Sequence, residues 1–397
     1  MKTAPVTPAS GQAFTANPMY RFLLVLTIAG VAGLQGWRTL FDNFAVHQVG
    51  LDGEHVGFIQ SAREVPGFLA LLVVFVMLLL KEHRISSYSI LTLGAGVALT
   101  GLFPSFAGVM TTTVIMSLGY HYFETTNQSL TLQYFDKQTS PLVFGRLRSI
   151  AAASNIGVGV FVFLIASVLS YEQMYIVLGV IIAATGAYSM TLKPTDDTLP
   201  AQHRRMIFRG RYWLYYVLTM LAGARRQIFV AFAVFLLVKK FDFNVQEITA
   251  LFVVNNIVNY FLSPIIGRSI NRFGERWVLS LEYFSLIFIF LAYAVVDSKL
   301  AVAFLYIADH IFFNFAVAIR TFFQKIGDPQ DIAPSMAMGF TINHIGAVIF
   351  PIVGGLLWML DYRIPFVAAA VMSLGSFIFV QLIPGQIRRS NARTAAL

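Results

Sequence analysis

The sequence predicts an all-α membrane protein built as a duplicated bundle of twelve transmembrane helices. Three observations predict it. Of 397 residues, 57% are hydrophobic and only 12% charged, with a mean hydropathy of +0.71. A soluble chain of this size could not hide so much apolar surface, so lipid is the solvent for most of it. The apolar residues fall into twelve continuous runs, each near the roughly 20 residues that cross a bilayer as a helix. The third observation is that the second half of the chain repeats the pattern of the first.

Taken in order, residues 1–19 form an N-terminal tail rich in Thr, Ala and Pro, expected to be disordered and cytoplasmic; they lack the basic-then-apolar design of a cleaved signal peptide. The first six runs are 20–46, 54–80, 87–104, 106–134, 142–169 and 172–191. Residues 192–211 are a polar linker with Pro194, Pro200, Arg204, Arg205 and Arg209, and they divide the chain into six plus six. The second six are 212–238, 246–267, 277–296, 300–324, 333–360 and 364–384, followed by a C-terminal tail, 385–397. Helices are expected throughout because unpaired backbone groups cannot face lipid, and a barrel would need short alternating strands instead of continuous runs.

The repeat is explicit in the first and seventh runs. Arg38 falls on Arg226, Phe41 on Phe229 and Phe44-Ala45-Val46 on Phe232-Ala233-Val234, an offset of 188 residues. His121 falls on His310 and Phe123 on Phe312 at 189, and Arg63-Glu64 fall on Asn255-Asn256. Several correspondences at a nearly constant offset mark a duplication.

Lysine and arginine set the expected orientation. With the N-terminus cytoplasmic, that side holds 19 of the 28 basic residues and the opposite loops hold four: Lys239, Lys240, Lys299 and Arg363. The remaining five, Arg38, Arg63, Arg225, Arg226 and Arg320, lie within segments. Both termini are therefore expected on the cytoplasmic face of a bacterial inner membrane. The net charge of +9 reflects this topology, with anionic headgroups and not nucleic acid as partner. The chain has no cysteine, which excludes disulfides, thiolate metal sites and thiol catalysis.

Between the eighth and ninth segments the sequence reads Gly267-Arg268-Ser269-Ile270-Asn271-Arg272-Phe273-Gly274-Glu275-Arg276. This resembles the loop signature Gly-x-x-x-Asp-Arg-x-Gly-Arg-Lys of the major facilitator superfamily (MFS), with Asn271 where Asp is usual. Pro351-Ile352-Val353-Gly354-Gly355 is similar to a Pro-x-x-Gly-Gly run common in those transporters. Two departures stand beside it. The first-half loop, Lys81-Glu82-His83-Arg84, lacks the glycines and the aspartate. Ser154-Asn155-Ile156-Gly157-Val158-Gly159 lacks the Gly-Pro pair of drug–proton antiporters, which argues against drug efflux. The resemblance covers essentially the whole chain. It implies two pseudo-symmetric six-helix bundles around a central cavity lined by helices 1, 4, 7 and 10. It also implies gating roles for Gly267, Asn271, Arg272, Gly274 and Arg276. Polarity agrees: helices 3 and 12 carry no charged side chain in their apolar spans, helix 6 only Glu172 at its very start, and helix 9 only Glu282.

An ionisable residue inside the membrane is a candidate functional residue. In helix 1, Gln35, Arg38 and Asp42 share a face. Arg38 either offers its planar fork to an anionic substrate or is neutralised by Asp42. Arg225 and Arg226 point about 100° apart, so one is expected to line the cavity and the other to pair with a neighbouring helix. In helix 2, Arg63 and Glu64 suggest a gating ion pair, with Arg225 or Arg38 as partner for Glu64. Asn255, Asn256 and Asn259 either bind substrate or join helices. Helices 4 and 10 hold Tyr120, His121 and Glu124, and Tyr306, Asp309, His310 and Asn314. Glu124 and Asp309, with Asp42 and Glu64, are the proton-coupling candidates, and the histidines are relay or substrate ligands. A fixed network between helices 4 and 10 is the plain alternative. Coordination of a transition metal by His121, Glu124, Asp309 and His310 is a further one, without a His-rich loop to deliver the ion.

No zincin motif, nucleophile elbow or phosphate-binding loop occurs, so the expected protein is not an enzyme and needs no cofactor. The function expected is secondary transport of a small organic anion by alternating access, driven by protons, in a monomer. Export of an amphipathic drug or lipid, and a non-transporting receptor on the same scaffold, are the alternatives.

Overall fold

The structure, a computed structural model, describes residues 13–51, 53–195, 199–200, 202–203, 205–243 and 245–395. Within them every regular element is helical. Helix α1 (Pro18–Asn43) starts where the Asn17 side chain accepts the Met19 N–H at 2.8 Å and proline takes the first helical position. Ala13–Ala16, expected to be disordered, instead form a short 3₁₀ turn whose Phe14 packs edge-on against Tyr20. Helix α2 (Gly53–Phe68) loses regularity just past Pro66, continuing as a 3₁₀ turn and a final segment, Val73–Val76. Helices α3 (Glu82–Leu102), α4 (Phe106–Tyr134), α5 (Ser140–Ile165) and α6 (Tyr171–Ser189) complete the first bundle. Ser105 caps α4, and a Ser170–Gln173 capping box starts α6.

In the second bundle α7 comprises Trp213–Ile228 and Val234–Phe241. The run Val245–Val295 bends only at Gly274, whose φ of 81° and ψ of 163° suit a residue without a Cβ. Its arms, 245–273 and 275–295, are α8 and α9. Helix α10 comprises Lys299–Phe313 and Val317–Ile326, joined by a 3₁₀ turn. Helices α11 (Ile332–Leu360) and α12 (Arg363–Val380) follow. The C-terminal tail is not irregular: Ile383–Ala395 is a further helix, α13, and its Ser390 hydroxyl donates to the Ile326 carbonyl. The duplication is visible in the backbone. Both α1 and α7 pass into a π-helical turn beyond the repeated arginine, at Phe44–Val49 and Phe229–Ala233. Such turns cost hydrogen-bond geometry and concentrate at functional sites.

Each bundle has its own core, one around Phe22, Trp37, Phe41 and Phe44 and another around Phe229, Phe290 and Phe366, while a third around Tyr212 and Phe322 also takes in Leu132 and Phe144 of the first bundle. The bundles meet closely at one end, the end that carries both termini. A Cβ on Gly145 would lie 2.6 Å from the Ser263 carbonyl oxygen, and one on Gly267 would lie 2.4 Å from that of Pro141. Glycine therefore sets the α5–α8 approach. Ser140 donates to Gln324 at 2.6 Å, and the Gln324 amide donates to the Leu132 and Phe135 carbonyls. Thr341 of α11 donates to the Phe68 carbonyl and accepts the Leu71 N–H. Among the described residues, every hydrogen bond between bundles lies in this half or at mid-depth, Asn155–Asn256 being the farthest out. Beyond it a Cβ on Gly157 or Gly159 would meet nothing within 4 Å, and Val160 and Phe163 are exposed. The bundles thus close at the termini end and part at the other.

Candidate functional site

At mid-depth the side chains of Arg38 (α1), Arg148 (α5) and Arg226 (α7) are exposed although their helices are membrane-spanning. They share a single space, because their charges act on one another and on the half-buried Tyr120: Arg38 with Arg226, Arg148 with Arg226, and Tyr120 with all three. Arg320 (α10), half-buried, acts on Arg148, Arg226 and Glu124. The opening between the bundles is therefore lined by guanidinium groups from both. Arg38 and Arg63 act on the Glu64 carboxylate, and Arg148 and Arg320 on that of Glu124. Among the described residues, neither Arg148, Arg226 nor Arg320 belongs to an ion pair. Arg148 is oriented by Asn314, 3.1 Å from its Nε, and Arg320 lies over the Phe144 ring. Gln35 turns to Thr39 of its own helix, and the side chain of Asp42 lies outside the described residues.

Adjacent arginines take opposite environments. Arg226 opens into the cavity, whereas Arg225 is fully buried among α7, α9, α10 and α12. Arg225 donates to Ser376 at 2.5 Å, lies over the Tyr283 ring at 4.2 Å and pairs with Glu282 at 3.8 Å. Asp309, equally buried, also feels its charge, and none of the four oxygens of Asp309 and Glu282 has a hydrogen-bond partner. Two carboxyls around one guanidinium leave one negative charge uncompensated if both ionise, a costly state in a dry interior. Of the two adjacent arginines, Arg225 is thus the one that pairs with neighbouring helices, and Arg226 the one that faces the opening.

The expected partner of Glu64 is also corrected. Glu64 pairs with neither Arg38 nor Arg225, but with Arg63 beside it at 2.7 Å. Its second oxygen faces His344 of α11 at 3.9 Å, and the His121 and His344 rings are 4.9 Å apart. The quartet His121, Glu124, Asp309 and His310 does not converge. Asp309 turns to Arg225, and His310 is 2.8 Å from the Asn259 amide. The asparagines of α8 join helices: Asn256 accepts from Asn155 across the bundles at 3.0 Å, and Asn259 accepts from Asn314 at 2.5 Å. Tyr306 is buried in a stack on Phe229.

The residues expected to gate lie at the closed end. Gly267 touches Pro141, and Asn271 donates to the Gln138 carbonyl at 2.5 Å, both across the bundles. Gly274 makes the bend, Arg276 bonds Gln381 at 2.9 Å, and Arg272 covers the Phe273 ring. Three functional candidates escaped the sequence reading. Arg148 lies six residues inside its segment but counted with the basic loop charges, so the cytoplasmic tally falls from 19 to 18. Arg320 was placed within a segment without a role. His344, next to Asn343 in an apolar helix, carried the signal of an ionisable residue inside the membrane.

Two six-helix bundles parted by a polar, arginine-lined opening define a multi-pass membrane transporter, with the repeat relating its halves. The chain belongs to the Major Facilitator Superfamily, which it matches over residues 13–319 and 215–395. No curated protein matches its sequence. Among solved structures it is similar to the human organic anion transporter MFSD10 (TETRAN), at 13% identity and TM-score 0.73, covering 91% of this chain and 99% of that one. It is similar too to the E. coli fucose:proton symporter FucP, at 14% identity and TM-score 0.71, covering 92% and 98%. A bacterial homologue of the iron transporter ferroportin matches at 12% identity and TM-score 0.76, covering 92% and 99%. At these identities the likeness establishes the fold.

Proposed function

We propose that the protein moves a small organic anion across the membrane by alternating access, together with protons. The observation that carries this reading is the convergence of Arg38, Arg148, Arg226 and Arg320, from both bundles, on one opening. An anion bridging Arg38 and Arg226 draws the halves of the repeat together, since guanidinium forks hold carboxylate or phosphate in a bidentate way. With the termini cytoplasmic, as the loop charges favour, the opening faces outward. Binding then relieves repulsion between the bundles and favours closure over the substrate.

Glu124 supplies the coupling. Its carboxylate acts on Arg148 and Arg320 and so serves as an internal anion when the site is empty. A substrate anion displaces this role, and a proton on Glu124 removes the competing charge. The buried Asp309 holds a second proton site beside Arg225. An organic anion transporter is among the proteins of similar fold, but the argument for this chain rests on its own arginines.

The test is uptake into proteoliposomes of a panel of labelled organic anions and cations under an imposed pH gradient. Anion uptake that collapses the gradient and is lost in Arg226→Ala supports the reading. Uptake confined to cations, or unaffected by Arg226→Ala, overturns it.

A further inference from the structure

We propose that Glu64, His121 and His344 form a site for one divalent transition-metal ion, of the zinc and cobalt class, that ties the first bundle to the second. The three residues come from α2, α4 and α11, and one ligand atom of each lies within 4.8 Å of the other two. Among the described residues no other group of this kind comes together. Glu64 and His121 belong to the first bundle, His344 to the second. An ion at their centre would therefore cross the seam along which the bundles move.

Each ligand is prepared for the role. His344 has its Nδ1 2.9 Å from the Phe340 carbonyl, which accepts the proton there and leaves Nε2 as the free, ligating nitrogen, 3.9 Å from Glu64 Oε2. A backbone carbonyl on the far imidazole nitrogen is the usual second-shell support of a metal-bound histidine. The imidazole lies directly on α2: a Cβ on Gly67 would come within 2.4 Å of its Cδ2 and Nε2. His121 is 7% exposed, and its Nδ1 is buried without a hydrogen-bond partner. A buried polar atom left unpaired costs free energy, which a metal bond would offset. Arg63 takes only Oε1 of Glu64 and leaves Oε2 for the ion. Phe340, stacked on His344 and edge-on to His121, closes one side against water.

The donor set chooses the ion. Two imidazoles and one carboxylate suit zinc, cobalt, nickel or copper, whereas calcium and magnesium seek oxygen and would find a single carboxylate already shared with Arg63. Bonds of about 2.0–2.2 Å place ligand atoms of a tetrahedral site roughly 3.3 Å apart. The three must therefore close by up to about 1.5 Å, within the reach of side-chain torsions. Three protein ligands leave a fourth position for water or an anion.

The experiment uses the purified full chain in lipid nanodiscs, titrated with Co²⁺ and followed by visible absorption, with Zn²⁺ added to displace it. One equivalent of Co²⁺ giving four-coordinate bands, weakened at least tenfold in both His121→Ala and His344→Ala, is the expected result. Zn²⁺ should raise the thermal unfolding temperature of the wild type and leave His344→Ala unmoved. Metal-free unfolding of each variant verifies its fold. Absence of the bands in the wild type, or equal affinity in the double alanine variant, overturns the proposal. None of these readouts depends on transport, so this site and the anion reading fail or stand separately.

Discussion

Gly267 of α8 and Pro141 of α5 are in backbone contact across the two bundles, so close that a methyl group on Gly267 would sit 2.4 Å from the Pro141 carbonyl oxygen. The contact belongs to the closed end, beside the buried Ser140–Gln324 hydrogen bond. Neither backbone segment can give way easily, since each lies within a helix. Gly267→Val should therefore force the bundles apart at this end and shift the population toward the opposite-facing state. Ser140→Cys reports it, because Ser140 is fully buried and the chain has no other cysteine. A membrane-impermeant thiol reagent should label Ser140→Cys severalfold faster when Gly267→Val is also present. Equal labelling in the two backgrounds would show that the approach of α5 and α8 does not hold the gate.

Arg225 and Arg226 should separate under mutation into a stability residue and a transport residue. Removing Arg225 leaves Glu282 and Asp309 buried beside nothing positive, a loss of about 3–5 kcal/mol. A lower unfolding temperature and poor recovery in detergent are expected for Arg225→Ala. The double variant Arg225→Met, Glu282→Leu should regain much of that stability, because an apolar pair of similar volume needs no compensation. Arg226→Ala, whose side chain opens into the cavity, should unfold like the wild type and abolish uptake. Thermal unfolding and uptake measured on the same preparations distinguish the two. A stable Arg225→Ala together with an unstable Arg226→Ala would reverse the assignment.

This division marks how far the sequence could be read. Helical spacing showed that Arg225 and Arg226 face different surroundings, but which one faces the cavity depends on how α7 is rotated, and packing against Tyr283 and Ser376 decides that. The ends of α4 were legible because the continuous apolar run 106–134 coincides with the helix, which Ser105 caps at its start. The merging of α8 and α9 was not, since a bend at one glycine in a polar loop looks like an ordinary connection. Arg148 escaped because a charge count assigns residues near a segment's end to the loop, whereas α5 begins two residues earlier and carries Arg148 inward. Glu64 and His344 lie 280 positions apart, and only the crossing of α2 with α11 brings them together.

Glu124→Gln should separate binding from accumulation. The amide keeps the shape and cannot ionise, so Arg148 and Arg320 lose their internal anion while the substrate site stays open. Anion binding, measured by thermal shift, should be retained or tightened up to about tenfold and should lose much of its pH dependence. Accumulation against a gradient should fall to equilibration. Wild-type accumulation by this variant would remove Glu124 from the coupling mechanism and leave Asp309 as its candidate.

The linker offers a test of pH dependence outside the membrane. Asp331, fully buried at the start of α11, lies 2.7 Å from the Tyr212 hydroxyl, 2.8 Å from His203 Nδ1 and 2.8 Å from Arg209 Nε. It binds the linker to the α10–α11 connection, where the amide of Gln202 also donates to the Pro329 carbonyl. Burial works against the carboxylate, but the hydrogen bonds from Tyr212 and His203 and the Arg209 charge outweigh it, holding its pKa below the ordinary 3.8. A carboxyl with a lowered folded pKa contributes stability above its unfolded pKa and loses it as pH falls through the folded one. The contribution should thus be complete at pH 7 and fade below about pH 4. Asp331→Asn should be about 1.5–3 kcal/mol less stable at pH 7, the range for hydrogen bonds to a charged group. Its difference from the wild type should shrink as the pH is lowered from about 5 to 3, followed by thermal unfolding in detergent. A difference that stays constant over that range would mean that the carboxylate charge does not hold the linker.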